Sequence, residues 1–105
     1  MAQFDVYRNG SGGQAKRIPF VVDVQSDLLE HLATRVVVPL GDPKVIEGKP
    51  AKILNPVFVI DGRKVVMLTP ELAGVPRKAL GQKLAALADR RAEIIAALDL
   101  TFIGV

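Results

Sequence analysis

Two apolar, β-branched runs flank the dipeptide Asp61-Gly62: Val57-Phe58-Val59-Ile60 before it and residues 63–67 after it. Asp-Gly in that setting predicts a two-residue type I′ turn, because both turn positions need positive φ and these two residues accept it most readily. A chain built around such a hairpin must contain antiparallel sheet, and other strand signals agree. Residues 3–7 alternate around Phe4 and Val6, and residues 18–24 form an apolar, β-branched second strand. Arg35-Val36-Val37-Val38 reads as a third strand ended by Pro39. Its three adjacent valines imply burial on both faces or pairing between two protomers.

The breaks between these runs are equally legible. Asn9-Gly10-Ser11-Gly12-Gly13 is a flexible loop, either a hairpin tip or a partner-binding loop that orders on contact. Ser26 or Asp27 caps a short turn through Leu28-Leu29-Glu30. Gly41-Asp42-Pro43 and Gly48-Lys49-Pro50 bracket a polar excursion. Thr69-Pro70-Glu71-Leu72 fits one helical turn, with Thr69 as N-cap, Pro70 at the first helical position and Gly74 as terminator. Ile94, Ile95 and Leu98 recur at helical spacing, so residues 89–98 are expected to form a helix. Residues 77–84 fit helix or strand by periodicity alone. The apolar end, Leu100 to Val105, packs on its own chain or forms an interface.

Composition narrows the chemistry. A length of 105 residues suits one domain spanning 1–105. Cysteine is absent and His31 is the only histidine, which leaves no zinc-ligand set, thiol nucleophile or disulfide framework. No cofactor or metal is expected. The apolar runs fall far short of the roughly 18 residues of a membrane span, and the N-terminus lacks a secretory pattern, so a cytoplasmic protein is expected. The net charge of +3 is mild, and with four Phe, one Tyr and no Trp there is little to stack bases. Direct nucleic-acid binding is therefore not favoured.

No Walker loop, dinucleotide fingerprint or metalloprotease motif occurs. His31 would need an oriented partner to act as a base, and adjacency to Glu30 does not supply one. Asp23, Asp27 and Glu30 lie close along the chain, where acid–base work is conceivable but solvated surface turns are the plainer expectation. The residues point to a binding protein rather than an enzyme, with no catalytic set.

The sequence resembles the CcdB toxins of bacterial toxin–antitoxin modules. The resemblance is carried by Gln3-Phe4-x-Val6-Tyr7, by Phe20-Val21-Val22-Asp23-Val24-Gln25-Ser26-Asp27-Leu28-Leu29 and by Arg35-Val36-Val37-Val38-Pro39-Leu40. It continues through Met67-Leu68-Thr69, Ala73-Gly74-Val75-Pro76 and Ile94-x-Ala96-Ala97-Leu98-Asp99-Leu100 to Gly104-Val105. It implies a mainly β fold, an SH3-like barrel of the CcdB/MazF/Kid type. That fold has a five-stranded antiparallel sheet, a small accessory sheet and one C-terminal α-helix, and it makes residues 77–84 strand. It implies a homodimer that binds the DNA gyrase A-subunit dimerisation domain and traps the cleaved-DNA complex. A CcdA-type antitoxin would neutralise it through a disordered segment and would reach operator DNA on behalf of both, so that this chain meets DNA only indirectly. A two-fold dimer would set two copies of the tail side by side against a two-fold target.

By the resemblance, the gyrase-binding positions are Leu28, Leu29, Asp99, Phe102, Ile103, Gly104 and Val105. Two depart from the family pattern: Ile103 stands where tryptophan is usual and Asp99 where asparagine is. The antitoxin-binding positions are Tyr7, Lys16, Arg17, Lys44 and Lys49, whose cations suit an acidic partner. The departures keep two alternatives in view, a degenerate toxin that binds antitoxin without poisoning gyrase and a MazF-like endoribonuclease drawing on Arg17, His31 and Arg35.

Overall fold

The computed structural model describes residues 1–10, 16–46 and 48–104. Its strands are β1 (Asp5–Asn9), β2 (Phe20–Asp23), β3 (Thr34–Gly41), β4 (Val57–Ile60), β5 (Arg63–Met67), β6 (Ala73–Pro76) and β7 (Leu80–Ala86), followed by α1 (Arg91–Ile103). All pairings are antiparallel, in the order β4-β5-β3-β2-β1-β7, with β6 added to β3. The fold is thus mainly β, a curled sheet with one C-terminal helix, as the resemblance implies. The strands that the resemblance divides between two sheets are hydrogen-bonded into one, because β3 serves both regions. Its first half, Thr34 to Val37, pairs with β6, and its end, Leu40 and Gly41, pairs with β5.

That division explains why Pro39 lies inside β3 rather than ending it. Pro39 pairs with Val21 of β2, and its carbonyl accepts the Leu68 N–H at 2.9 Å on the opposite flank. A strand residue directs its N and its carbonyl to the same side, so the missing N–H falls in the gap between β6 and β5 and costs no ladder bond. The expected hairpin turn forms: Asp61 and Gly62 have φ of 52° and 78°, and Ile60 pairs with Arg63.

The main core lies between the sheet and α1. Val6, Phe20, Val22, Val38, Leu40, Phe58, Ile60, Val65 and Met67 meet Ile94 and Ala97 of the helix there. A smaller cluster of Tyr7, Val21 and Val37 occupies the other face, with Val75 and Leu80 folded against it. The valine run is therefore buried on both faces within one chain: Val38 enters the main core and Val37 the second cluster. Phe4 anchors the edge of the core with φ of 71°, an unusual value for a bulky residue. Its N–H donates to the Asp23 carbonyl at 2.5 Å and its carbonyl accepts from Leu87 at 2.8 Å, which holds that conformation in place.

Of residues 77–84, expected as strand, Arg77–Ala79 form a single 3₁₀ turn and the strand begins at Leu80. Leu80 and Leu84 are four apart, a spacing shared by helix and strand. The β1–β7 register slips on either side of Tyr7, and Leu84 packs on the main core while Leu80 packs on the second cluster. A side chain at Gly10 would run into the Ala79 carbonyl, so the two strands approach closely there. Ser11, Gly12 and Gly13 of the expected loop lie outside the described residues.

Two local expectations fail. Thr69 does not cap its turn: it lies within the 3₁₀ turn Thr69–Glu71, is fully buried, and its hydroxyl donates to the Leu54 carbonyl at 2.6 Å. Gly74 does not terminate a helix, because Ala73–Pro76 is the strand beside β3. The C-terminal helix begins and ends later than expected. Residues Ala88–Arg90 form a 3₁₀ turn, and the helix runs on to Ile103, so most of the apolar end is helical.

Candidate interaction site

The run Val22-Asp23-Val24-Gln25-Ser26-Asp27 assembles a bracket. Asp23 stands at the end of β2 beside Arg35 of β3, and neither side chain is exposed. Arg35 Nε donates to Asp23 Oδ2 at 2.8 Å, and an η nitrogen lies 2.5 Å from the same oxygen. The expectation that Asp23 is a solvated turn acid fails here, because the curled sheet encloses it. Burial pushes the Asp23 carboxyl above the usual range, outweighing the downward pull of Arg35 and of the Gln25 N–H. Asp23 Oδ1 accepts that N–H at 2.9 Å.

Gln25 carries the bracket outward. Its Oε1 accepts the Val36 N–H at 2.9 Å and its Nε2 donates to the Leu29 carbonyl at 3.0 Å. Ser26 Oγ accepts the Leu28 N–H at 3.2 Å, the capping role expected of it, and Asp27 Oδ1 accepts the Gln3 N–H at 2.8 Å. These bonds hold the 3₁₀ turn Asp27–Leu29 in one place while Leu28 remains 87% exposed and Leu29 half-exposed. Each such side chain would gain about 1.5–3 kcal/mol on full burial, so a rigid turn that displays two of them is suited to an interface.

The last turn of α1 forms a second patch. Asp99, Phe102 and Ile103 stand at i, i+3 and i+4 on its open side, and Phe102 and Ile103 are each 67% exposed. Ile94 and Ala97 bury the opposite side, so this end protrudes from a firmly seated helix. Gly104 has φ of 75°, and its N–H donates to the Asp99 and Leu100 carbonyls at 3.2 Å each. It therefore closes the helix, a conformational task for which glycine is suited. Val105 lies outside the described residues.

Of the antitoxin-binding positions, Lys16, Arg17 and Lys44 come together. They line one recess of about 420 Å³ with Asp42 and Val45. Asp42 accepts the Lys44 N–H at 2.9 Å, and Arg63 reaches both Asp42 Oδ2 at 3.4 Å and the Lys16 carbonyl at 3.0 Å. The Lys44 N–H, followed by Arg63, holds the Asp42 carboxyl below its usual range. Lys49 lines a different cavity, and Tyr7 is 6% exposed within the second cluster, so neither joins the recess.

Arg17, His31 and Arg35 do not converge. Arg17 lines the lysine recess, His31 lines a recess with Pro76 and Lys78, and Arg35 is enclosed with Asp23. Among the described residues no three His, Cys, Asp or Glu gather as metal ligands, and no helix is long and apolar enough to cross a membrane. The supporting roles of Arg35, Gln25, Asp42 and Arg63 escape a reading of the sequence. The signal for the first two was a single arginine in a valine strand and the alternation Asp23-Val24-Gln25 at the end of the apolar run beside it.

A protein-family model described as CcdB protein matches residues 3–104, nearly the whole chain. Among solved structures, an endoribonuclease in complex with its cognate antitoxin from a mycobacterial species superposes with a TM-score of 0.73 at 17% identity. The match covers 96% of this chain and 93% of that one. At that identity the likeness concerns the fold.

Proposed function

The chain belongs to the CcdB family, the toxins of toxin–antitoxin modules, and on that premise we propose that it is a cytoplasmic poison of DNA gyrase. It acts by binding: Leu28, Leu29 and the open face of Asp99, Phe102 and Ile103, continued by Gly104 and Val105, engage the gyrase A-subunit dimerisation domain and trap the cleaved-DNA complex. A homodimer presents two such faces to a two-fold target. A CcdA-type antitoxin lays an acidic segment along the recess of Lys16, Arg17 and Lys44, with Lys49 beyond it, and carries the pair to operator DNA. The structural neighbour's capture with its cognate antitoxin supports a partner of that kind.

The observation that carries this reading is the exposed apolar end of α1. Phe102 and Ile103 add little to the core, so their apolar character is explained by a partner and not by folding. Deleting residues 103–105 should abolish growth arrest on antitoxin-free expression while leaving the melting temperature nearly unchanged. Arrest that persists after the deletion contradicts the reading.

The structural neighbour is an endoribonuclease, which supports a second reading, RNA cleavage on the same fold. Against it stands the enclosure of Arg35 with Asp23, which removes that cation from contact with phosphate. Incubation of the purified protein with mixed RNAs tests it, and cleavage would replace the first reading.

A further inference from the structure

The chain contains two places where an aspartate or asparagine precedes glycine, Asn9-Gly10 and Asp61-Gly62. In each, the glycine nitrogen follows a side-chain carbonyl carbon, and glycine has no side chain to hinder a close approach. The nitrogen can attack that carbon and close a five-membered succinimide ring. By chemistry alone Asn9 is the more reactive, because an amide is a better electrophile than an ionised carboxylate at neutral pH. The structure reverses that order.

Asn9 is fixed in place. It ends β1 and pairs with Leu80, its N–H donates to the Pro19 carbonyl at 2.9 Å, and its side-chain amide donates to the Ile18 carbonyl at 2.8 Å. Gly10 lies so close to the Ala79 carbonyl that a Cβ would not fit. Asn9 cannot turn its amide carbon towards the Gly10 nitrogen without breaking these contacts. Asp61-Gly62 is open. Both residues are exposed, and apart from its chain neighbours no heavy atom lies within 4 Å of where a Gly62 Cβ would stand. Among the described residues, none bonds to the Asp61 carboxylate and none accepts the Gly62 N–H. The tip lies beyond the last strand pair, Ile60 with Arg63, so its rotation into a reactive geometry disrupts no core contact.

We propose that Asp61 is a site of spontaneous covalent modification, isomerising to isoaspartate in the folded protein, and that this change limits how long one molecule keeps its fold. The Gly62 nitrogen forms a bond to Asp61 Cγ. The carboxyl loses its hydroxyl, which leaves as water with the proton of the N–H. Water then adds at the main-chain carbonyl carbon of the ring and breaks that carbon's bond to the Gly62 nitrogen, so the backbone runs through the Asp61 side chain. Water is the sole co-reactant, and nothing is oxidised or reduced. The added main-chain carbon lengthens a two-residue turn whose length sets the β4–β5 register. Those strands carry Phe58, Ile60, Val65 and Met67 into the main core, so a change at the exposed tip reaches the interior. The proposal stands whether or not gyrase is the target.

The test is ageing of the whole protein in heavy-oxygen water at neutral pH, followed by trypsin digestion in ordinary water and mass spectrometry. Residues 9–16 and 53–63 emerge as separate peptides, because Arg8, Lys16, Lys52 and Arg63 flank or end them. Heavy oxygen is expected first in residues 53–63, together with a product that resists a protease cutting before aspartate. In urea the order should invert, with residues 9–16 labelled first. Asp61→Asn keeps a residue suited to the turn and releases ammonia in place of water, so it should speed the change several-fold. Asp61→Gly should abolish it and hold its melting temperature through the ageing period while that of the parent falls. Labelling of residues 9–16 first in the folded protein, labelling of residues 53–63 no faster than of other aspartate-containing peptides, an Asp61→Asn variant no faster than the parent, or an equal fall in melting temperature for Asp61→Gly would each overturn the proposal.

Discussion

Arg35 and Asp23 form an enclosed ion pair that joins β3 to β2, with Arg35 Nε donating to Asp23 Oδ2 across 2.8 Å. Through Asp23 Oδ1 and Gln25 the same pair reaches the Leu29 carbonyl. A buried charge pair is expensive to desolvate and is weak evidence for stability as such. Its value here lies in position, because it fixes the turn that displays Leu28.

Removing one partner should therefore cost far more than removing both charges. Arg35→Met leaves Asp23 buried without a counter-charge and should lower stability by about 3–5 kcal/mol. Arg35→Met/Asp23→Asn, which keeps an acceptor for the Gln25 N–H, should recover most of that loss. Urea denaturation of the three proteins measures it. A single variant within about 1 kcal/mol of the parent would show that the pair is not isolated from solvent.

Gln25→Glu keeps the acceptor for Val36 but replaces the donor to Leu29 with an oxygen. A buried carbonyl left without its donor costs about 1–3 kcal/mol, and here that cost falls on one turn. Hydrogen exchange should speed up selectively at residues 28–32, and target binding should weaken more than antitoxin binding. A uniform loss across the sheet would assign Gln25 a general structural role instead.

Tyr7 is the only tyrosine and tryptophan is absent, so its phenolate can be followed by ultraviolet absorbance without interference. Burial, then the charges of Asp5 and Asp23, push its pKa above the ordinary value of 10.0. The folded state keeps the phenolic proton where the unfolded chain has lost it. Stability from this source is thus intact below pH 10 and declines as pH rises through the folded value. The absorbance midpoint should lie above that of a free tyrosine, and Tyr7→Phe should blunt the alkaline loss of stability. A midpoint at the ordinary value would mean that the ring is open to water.

The Asp61-Gly62 turn allows a paired comparison. Gly62 has φ of 78°, so Gly62→Ala forces a side chain into the left-handed region and should cost about 1–2 kcal/mol. Asp61 sits at φ of 52°, a strain that Asp61→Gly would relieve at the expense of chain entropy, so that change should be close to neutral. Thermal unfolding of the two variants separates them, and equal effects would contradict a type I′ turn.

How far these features were legible follows from how local they are. The Asp61-Gly62 hairpin and the Ser26 cap depend on neighbours in the chain and could be read directly. Residues 77–84 could not be assigned by periodicity, because a spacing of four serves helix and strand alike, and resemblance decided correctly for strand from Leu80 onward. Pro39 misled because its tolerance depends on β3 changing partners, which no local pattern records. Thr69 misled because its hydroxyl is taken by Leu54, fifteen residues away. Of the candidate site, the exposure of Leu28, Phe102 and Ile103 agrees with an interface reading of those positions. The gathering of Lys16, Arg17 and Lys44 arises only once the chain before β2 and the Pro43–Val45 turn are brought together by Arg63.

The most direct test of the account is a cleavage-complex assay with the purified protein, supercoiled plasmid, ATP and the gyrase of its own host. Linear DNA released by detergent in proportion to added protein, and lost on deletion of residues 103–105, is the predicted result. It would also establish that Ile103 serves at the place where the family pattern has tryptophan. No linear DNA from a folded, dimeric protein would contradict the account and favour a degenerate toxin. In that case Ile103→Trp/Asp99→Asn should restore trapping.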